Sequence, residues 1–300
     1  MRGENLVTLC VVSFALLIGL FNTWFSDSPT RRPDTASEGQ SQRRPHADLF
    51  LPPKEVDIAD APRPHGSIGT GTAFTTQNSG QWFTAHHVTD GCKHIVLRVK
   101  TDSFMSSYIV RGNSRLGPTI DATIYAAAKN ADLAMLATRY KPDKYMALAK
   151  ISHSPPLNQK GFAIGFPGGR PGQVAVHFLG VVTGKMHRNQ QRFQQPLFAW
   201  AIDRKYPDNL TLGGISGGPL LNEVGEVMGV NTAGSDRRGR LFSSMTYALD
   251  HMLQSVPNLP SANGKVLTAT TPVNESTFVE YANDLRKHYI VAQVLCLYDM

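Results

Sequence analysis

The segment Gly213-Gly214-Ile215-Ser216-Gly217-Gly218-Pro219 is the part of the chain best suited to covalent chemistry. Glycines on both sides of a serine let the backbone close on a substrate carbonyl. They also let neighbouring amides point the same way, which is what an oxyanion hole requires. A serine in a glycine-rich loop is more often a turn than a nucleophile. Here, however, Leu220-Leu221-Asn222, a turn at Gly225 and the run Val227-Met228-Gly229-Val230-Asn231 follow at once, so Ser216 stands at the entry to a hairpin. A serine hydroxyl needs a base to take its proton, and the base needs an acid to orient it. Thr84-Ala85-His86-His87-Val88 offers a histidine at the end of a strand, and Asn130-Ala131-Asp132-Leu133-Ala134-Met135-Leu136 offers an aspartate opening an apolar strand. Taken singly, each has a plain structural reading: His87 as a strand-end residue, Asp132 as a turn residue. With 10 histidines in the chain, chance matches are common.

The elements that must position these residues read as β-structure. From Gly66 onward, short apolar or alternating runs are split by turn chemistry: 68–76, 81–88, 94–99, 106–110, 122–128, 133–139, 161–166, 173–184, 197–203, 217–223, 226–234 and 242–250. About a dozen strands at this spacing predict an all-β barrel or sandwich body, and a connector near 141–147 divides them into two groups of similar size. Helical spacing appears only late, at 251–256 and at 276–298, where Phe278, Tyr281, Ala282, Leu285, Tyr289 and Val291 partly follow it. The plain reading of that tail is packing against the barrel.

Composition narrows the class. With 41% apolar and 18% charged residues the chain buries a core and is not wholly disordered. Three cysteines exclude a disulfide-dense scaffold and a four-cysteine zinc site. The net charge of +7 permits an acidic partner, but the basic residues are scattered in short pairs such as Arg31-Arg32 and Arg43-Arg44. With no stacking-aromatic or basic-stripe motif, nucleic acid is not expected as a partner.

Residues 6–25 (LVTLCVVSFALLIGLFNTWF) carry no charge and close on a Trp-Phe pair. At about 1.5 Å per residue, some 20 residues reach across a hydrocarbon core of about 30 Å. A cleaved signal peptide and an uncleaved signal-anchor both fit. The length of the apolar run and the lack of small residues at a cleavage site favour a transmembrane anchor over residues 1–25. Arg31 and Arg32 behind the span favour a cytoplasmic flank by the loop-charge rule, against export of the body. Residues 26–65, rich in Pro, Ser, Arg, Gln and Asp without periodicity, read as a disordered linker.

Together the three chemical segments resemble the chymotrypsin/trypsin-like serine proteases, and most nearly the bacterial HtrA/Deg-type branch. That family shows Thr-x-Ala-His-Val, Asp-Leu-Ala-x-Leu and Gly-x-Ser-Gly-Gly-Pro-Leu in that order; this chain has TAHHV, DLAML and GISGGPLL. The strand Gly69-Thr70-Gly71-Thr72-Ala73-Phe74, the turn Ala163-Ile164-Gly165-Phe166-Pro167 and Gly229-Val230-Asn231-Thr232-Ala233 resemble three further family motifs. The likeness spans residues 66–257. It implies two six-stranded antiparallel β-barrels, an all-β body that follows the transmembrane helix read above and precedes a C-terminal extension with a helix (258–300). It also implies Ser216 as nucleophile, His87 as general base and Asp132 as its orienting carboxylate, with the amides of Gly214 and Ser216 as oxyanion hole. His86 fills a position where the family has a small residue.

The resemblance further implies a pocket with Leu210 near its base and Thr232, Ala233 and Gly234 along its wall. Such a pocket favours small or medium apolar side chains over Arg or Lys. Ile215 stands where zymogens carry an aspartate, so activation by N-terminal cleavage is not expected, and too few residues follow the barrels for the PDZ domain common in the branch. No metal or organic cofactor is implied. The expected function is a membrane-tethered, extracytoplasmic serine endopeptidase with protein or peptide substrates; the alternative is a catalytically silent peptide-binding module on the same fold. Of the cysteines, Cys10 lies in the apolar span. Cys92 and Cys296 form a disulfide in an oxidising compartment or stay as two unpaired thiols.

Overall fold

A computed structural model describes residues 55–59, 68–99, 107–111, 114–150, 154–188, 191–256 and 264–298. In chain order the strands are β1 (Glu55–Ala59), β2 (Ile68–Phe74), β3 (Gln81–Ala85), β4 (His94–Arg98), β5 (Ser107–Arg111), β6 (Ser114–Ala128), β7 (Leu133–Thr138) and β8 (Lys144–Tyr145). They continue as β9 (Lys160–Gly165), β10 (Gly172–Arg188), β11 (Gln191–Tyr206), β12 (Pro219–Leu221), β13 (Val227–Ser235), β14 (Arg240–Ser243), β15 (Lys265–Val266) and β16 (Val291–Leu297). Among the described residues three α-helices, α1 (His86–Thr89), α2 (Thr246–Ser255) and α3 (Phe278–Lys287), interrupt them.

Both larger sheets close. The first runs β4-β16-β2-β3-β7-β6, and β6 pairs back to β4; the second runs β10-β11-β14-β13-β12-β9, and β9 pairs back to β10. Each is a six-stranded antiparallel barrel, as expected, with β5 and β1 added at one side of each. Closure pairs the strands around each barrel and turns alternate side chains inward. Trp82, Leu97, Leu136 and Val294 fill the first barrel, and Phe178, Phe198, Trp200 and Leu220 the second. A larger cluster joins the two, drawing on Phe74 and Met135 from the first, Phe162 and Val230 from the second, and Leu249 and Phe278 from α2 and α3.

Three segments differ from expectation. The helical reading of 276–298 holds only for α3. Tyr289 adopts φ 51°, a left-handed conformation that an α-helix cannot continue through. The chain then extends as β16, whose seven residues are all buried, between β2 and β4. The first barrel is thus completed by the last strand of the chain, an arrangement that no local pattern announces. The run 242–250, read as a strand, splits into β14 and the start of α2. Within the segment read as linker, Glu55–Ala59 forms β1, parallel to β10, with Val56 and Ile58 packed against Val182, Leu197 and Phe242. Glu55 also pairs with Lys185.

The expected span at 6–25 lies outside the described residues. Among the described residues no helix is long and apolar enough to cross a membrane.

Candidate active site

The ladder between β3 and β7 explains how two residues 45 positions apart meet. Ala85 at the end of β3 is opposite Leu133 at the start of β7. His87, two residues beyond Ala85, therefore stands beside Asp132, one residue before Leu133. Asp132 caps a short 3-10 turn (Lys129–Ala131) at φ 46°, a conformation that aspartate tolerates better than most residues. Its carboxylate is wholly buried. Oδ2 lies 2.8 Å from His87 Nδ1, Oδ1 accepts the His87 backbone N–H at 3.0 Å, and its backbone carbonyl accepts the His86 N–H at 3.0 Å. An ionised carboxylate can only accept, so the contact with Oδ2 puts the imidazole proton on Nδ1 and makes Nε2 the unprotonated nitrogen. His86, the less usual neighbour, is buried.

The serine loop docks on the same strand end. Thr72 N–H donates to the Ser216 carbonyl at 2.9 Å, and Gly217 N–H donates to the Asn231 carbonyl at 2.7 Å. Gly217 has φ 85°, and a Cβ there would lie 2.1 Å from the Thr72 carbonyl oxygen and 2.2 Å from Thr84 Oγ1. Only glycine allows this approach, which presses the loop onto β2 and the end of β3, next to α1 and His87. Ser216 Oγ–H donates to the Thr232 carbonyl at 3.3 Å.

Two peptide planes orient the amides expected to form the oxyanion hole. The Gly213 carbonyl accepts Gly168 N–H at 2.7 Å, and the Ile215 carbonyl accepts Gly218 N–H at 3.0 Å. A trans peptide points its N–H opposite to its carbonyl, so these two bonds set the directions of the Gly214 and Ser216 N–H groups.

A second His–Asp pair marks the difference between a site and an ion cluster. His177 Nδ1 lies 2.6 Å from Asp203 Oδ1, but both are partly exposed, and Lys160 Nζ takes the other carboxylate oxygen at 2.9 Å. That hydrogen bond to Asp203 raises the Lys160 ammonium above its ordinary pKa.

Of the expected pocket residues, Thr232 is buried beside Ser216, Ala233 is half-buried and Gly234 is exposed at the end of the same run of β13. Leu210 is 7% exposed and packs in the second-barrel core with Trp200 and Ile215. The side chain that meets Gly234 is Leu212, whose Cδ1 lies 2.4 Å from where a Gly234 Cβ would stand. Leu212 was not singled out from sequence; its place four residues before Ser216 was the available signal. Its N–H is held by Asp236 Oδ2 at 3.2 Å.

Cys92, just after α1, and Cys296 in β16 come together as a disulfide, with Cα atoms 5.3 Å apart. Among the described residues no group of three or more His, Cys, Asp or Glu side chains could hold a metal ion.

The family model for the trypsin-like peptidase domain matches residues 69–230. The chain belongs to that family. Among its relatives is a probable periplasmic serine endoprotease, DegP-like, of Pseudomonas savastanoi pv. phaseolicola. It is 27% identical over 252 residues, which cover 81% of this chain and 46% of that protein. The putative serine protease HhoA of Synechocystis sp. is 28% identical over 186 residues, 61% of this chain and 39% of that one. The trypsin-like chain thus spans less than half the length of these relatives. The active form of the Rv3671c protease from M. tuberculosis aligns with a TM-score of 0.44 at 14% identity, covering 71% of this chain and 95% of that chain.

Proposed function

We propose that the protein is a serine endopeptidase whose triad is Ser216, His87 and Asp132. The observation that carries this reading is the buried Asp132 carboxylate on His87 Nδ1, at the strand end on which the Ser216 loop docks. Asp132 holds the proton on Nδ1, so Nε2 takes the Ser216 hydroxyl proton as Oγ attacks the substrate carbonyl carbon. The resulting oxyanion is met by the N–H groups of Gly214 and Ser216. His87 then gives its proton to the leaving amine, and water, activated by the same imidazole, hydrolyses the acyl-enzyme.

The pocket walled by Thr232, Ala233, Gly234 and Leu212, with Leu210 behind it, admits small or medium apolar side chains. The body acts outside the cytoplasm on exported proteins, tethered by the apolar segment 6–25. The length of that uncharged run supports the tether, and the periplasmic name of the Pseudomonas relative supports the location.

Cleavage of an unfolded protein substrate tests the activity. Ser216→Ala and His87→Ala should each lose about 10⁵–10⁶ in turnover, because the group acts as a unit. Cleavage that survives Ser216→Ala overturns the reading.

A further inference from the structure

Arg286, near the end of α3, sets its guanidinium between its own helix and the turn that joins β9 to β10. Its Nη2 donates to the Gly172 carbonyl at 2.6 Å, to the Gly165 carbonyl at 3.2 Å and to Gln173 Oε1 at 2.9 Å, and its Nη1 donates to Asn283 Oδ1 at 3.1 Å. Gly165 and Gly172 are directly opposite in the ladder, so the fork closes the mouth of the 166–171 turn. The Phe166 ring lies 5.7 Å from the guanidinium carbon. Gln293 of β16 stands against the same turn, its Nε2 3.2 Å from where a Gly169 side chain would begin.

That turn is what touches the oxyanion loop. Gly168 N–H holds the Gly213 carbonyl, and Phe166 N–H donates at 3.0 Å to Thr72 Oγ1, which itself donates to the Gly214 carbonyl at 2.8 Å. Gly214 sits so close to the turn that a Cβ on it would lie 2.6 Å from the Phe166 carbonyl oxygen. Both peptides that flank the Gly214 α-carbon are therefore fixed by the turn, directly or through Thr72.

Arg286 is poorly compensated as a charge. Among the described residues it makes no ion pair, and its buried Nε has no hydrogen-bond partner. Burial pushes its pKa down to about 10. A partly buried guanidinium held against carbonyls, without an ion pair among the described residues, costs stability. A single terminal nitrogen, Nη2, gathers the two carbonyls of the facing strand ends.

We infer that Arg286 is a positioning residue for the oxyanion hole: by clamping the 166–171 turn it aims the Gly214 N–H at the developing oxyanion. The inference rests on the protease reading above, and it makes the C-terminal helix part of the catalytic apparatus. Losing an oxyanion donor costs about 10²–10³ in kcat, so a donor that is loosened but present should cost about tenfold.

The test compares wild type with Arg286→Met, which keeps the length of the stem, Arg286→Lys, which keeps the charge on a single nitrogen, and Lys287→Met as a control on the same helix. Peptide hydrolysis is measured together with affinity for a peptidyl boronic acid, whose tetrahedral adduct loads the oxyanion hole. Arg286→Met should lower kcat about tenfold with KM within about threefold, and should lower boronate affinity in step with kcat/KM. Arg286→Lys should fall between it and wild type, Lys287→Met should match wild type, and the acid limb of the pH–rate profile should not move. An unchanged kcat, a loss confined to KM, or unchanged boronate affinity overturns the inference and leaves the protease reading intact. Should Arg286→Met fail to fold, Arg286→Lys decides by the same criteria. A wild-type protein that cleaves nothing and ignores the boronate removes the protease reading, and this inference with it.

Discussion

Replacing Asp132 by asparagine exchanges one oxygen for an NH₂ group at the most enclosed point of the site. The two oxygens of Asp132 have different partners: Oδ1 accepts the His87 backbone N–H at 3.0 Å and Oδ2 faces His87 Nδ1 at 2.8 Å. The asparagine carbonyl must keep the first role, because the reverse orientation sets its NH₂ against a buried backbone donor, at a cost of about 1–3 kcal/mol. The NH₂ then donates to Nδ1, which drives the imidazole proton to Nε2, the atom that has to receive the serine proton. The φ of 46° at residue 132 adds little strain, since asparagine tolerates the left-handed region as aspartate does. The variant should therefore fold and still lose activity. The orientation preference alone removes a factor of about 10–10² by populating the wrong tautomer, at 1.4 kcal/mol per decade. Loss of the carboxylate's attraction for the imidazolium adds to this, for a total near the 10⁴ that a triad amide costs. Steady-state hydrolysis of a fluorogenic peptide, with near-ultraviolet circular dichroism as the folding control, measures it. A folded Asp132→Asn variant that keeps more than about a tenth of wild-type kcat refutes the reasoning, because the tautomer would then not depend on this contact.

Other outcomes follow from the same structure. The Cys92–Cys296 bridge closes a loop of 204 residues, for which the chain-entropy model gives about 5 kcal/mol. Urea unfolding of Cys92→Ala/Cys296→Ala against the oxidised protein should show a loss of that order, and a difference below about 1 kcal/mol contradicts it. A peptide-library profile should be dominated by small or medium apolar residues before the scissile bond; Arg, Lys or Glu at that place excludes the proposed pocket. Burial, with the Asp284 charge second, holds the Tyr281 hydroxyl up at about 12, against an ordinary 10.0. The folded state therefore favours the protonated phenol, and that stability is whole below about pH 10 and lost between pH 10 and 12. The stability gap between wild type and Tyr281→Phe should be constant below pH 10 and shrink across that window; a gap that widens there shows the sign to be wrong.

The candidate site was legible in sequence because each part is local. Glycine spacing around Ser216, a histidine closing a strand and an aspartate opening one are all short-range features, and the ladder between β3 and β7 joins the last two without any long loop. What sequence could not reveal depends on distant partners. Tyr289 to Tyr298 reads as the continuation of the helical run, and what makes it a strand is the gap between β2 and β4, some 200 residues earlier. Thr246 and the residues after it continue an apolar pattern begun in β14, so the change to helix was hidden in one run. Glu55–Ala59 is too short and too acidic to announce a strand, and it becomes one only against the edge of β10. Leu212 and Arg286 matter through contacts with Gly234 and with the 166–171 turn. The second of these spans more than a hundred residues, with no periodicity to mark it.

A Ser216 hydroxyl activated by His87 is open to covalent capture by a fluorophosphonate probe. The reagent bonds to an activated serine hydroxyl and ignores ordinary ones, so it separates an enzyme from a binding module on the same fold. One residue should be phosphonylated, located at Ser216 by peptide mass mapping, with labelling abolished in Ser216→Ala and slowed by orders of magnitude in His87→Ala. Absence of labelling in the folded wild-type protein, or labelling that persists in Ser216→Ala, would contradict it.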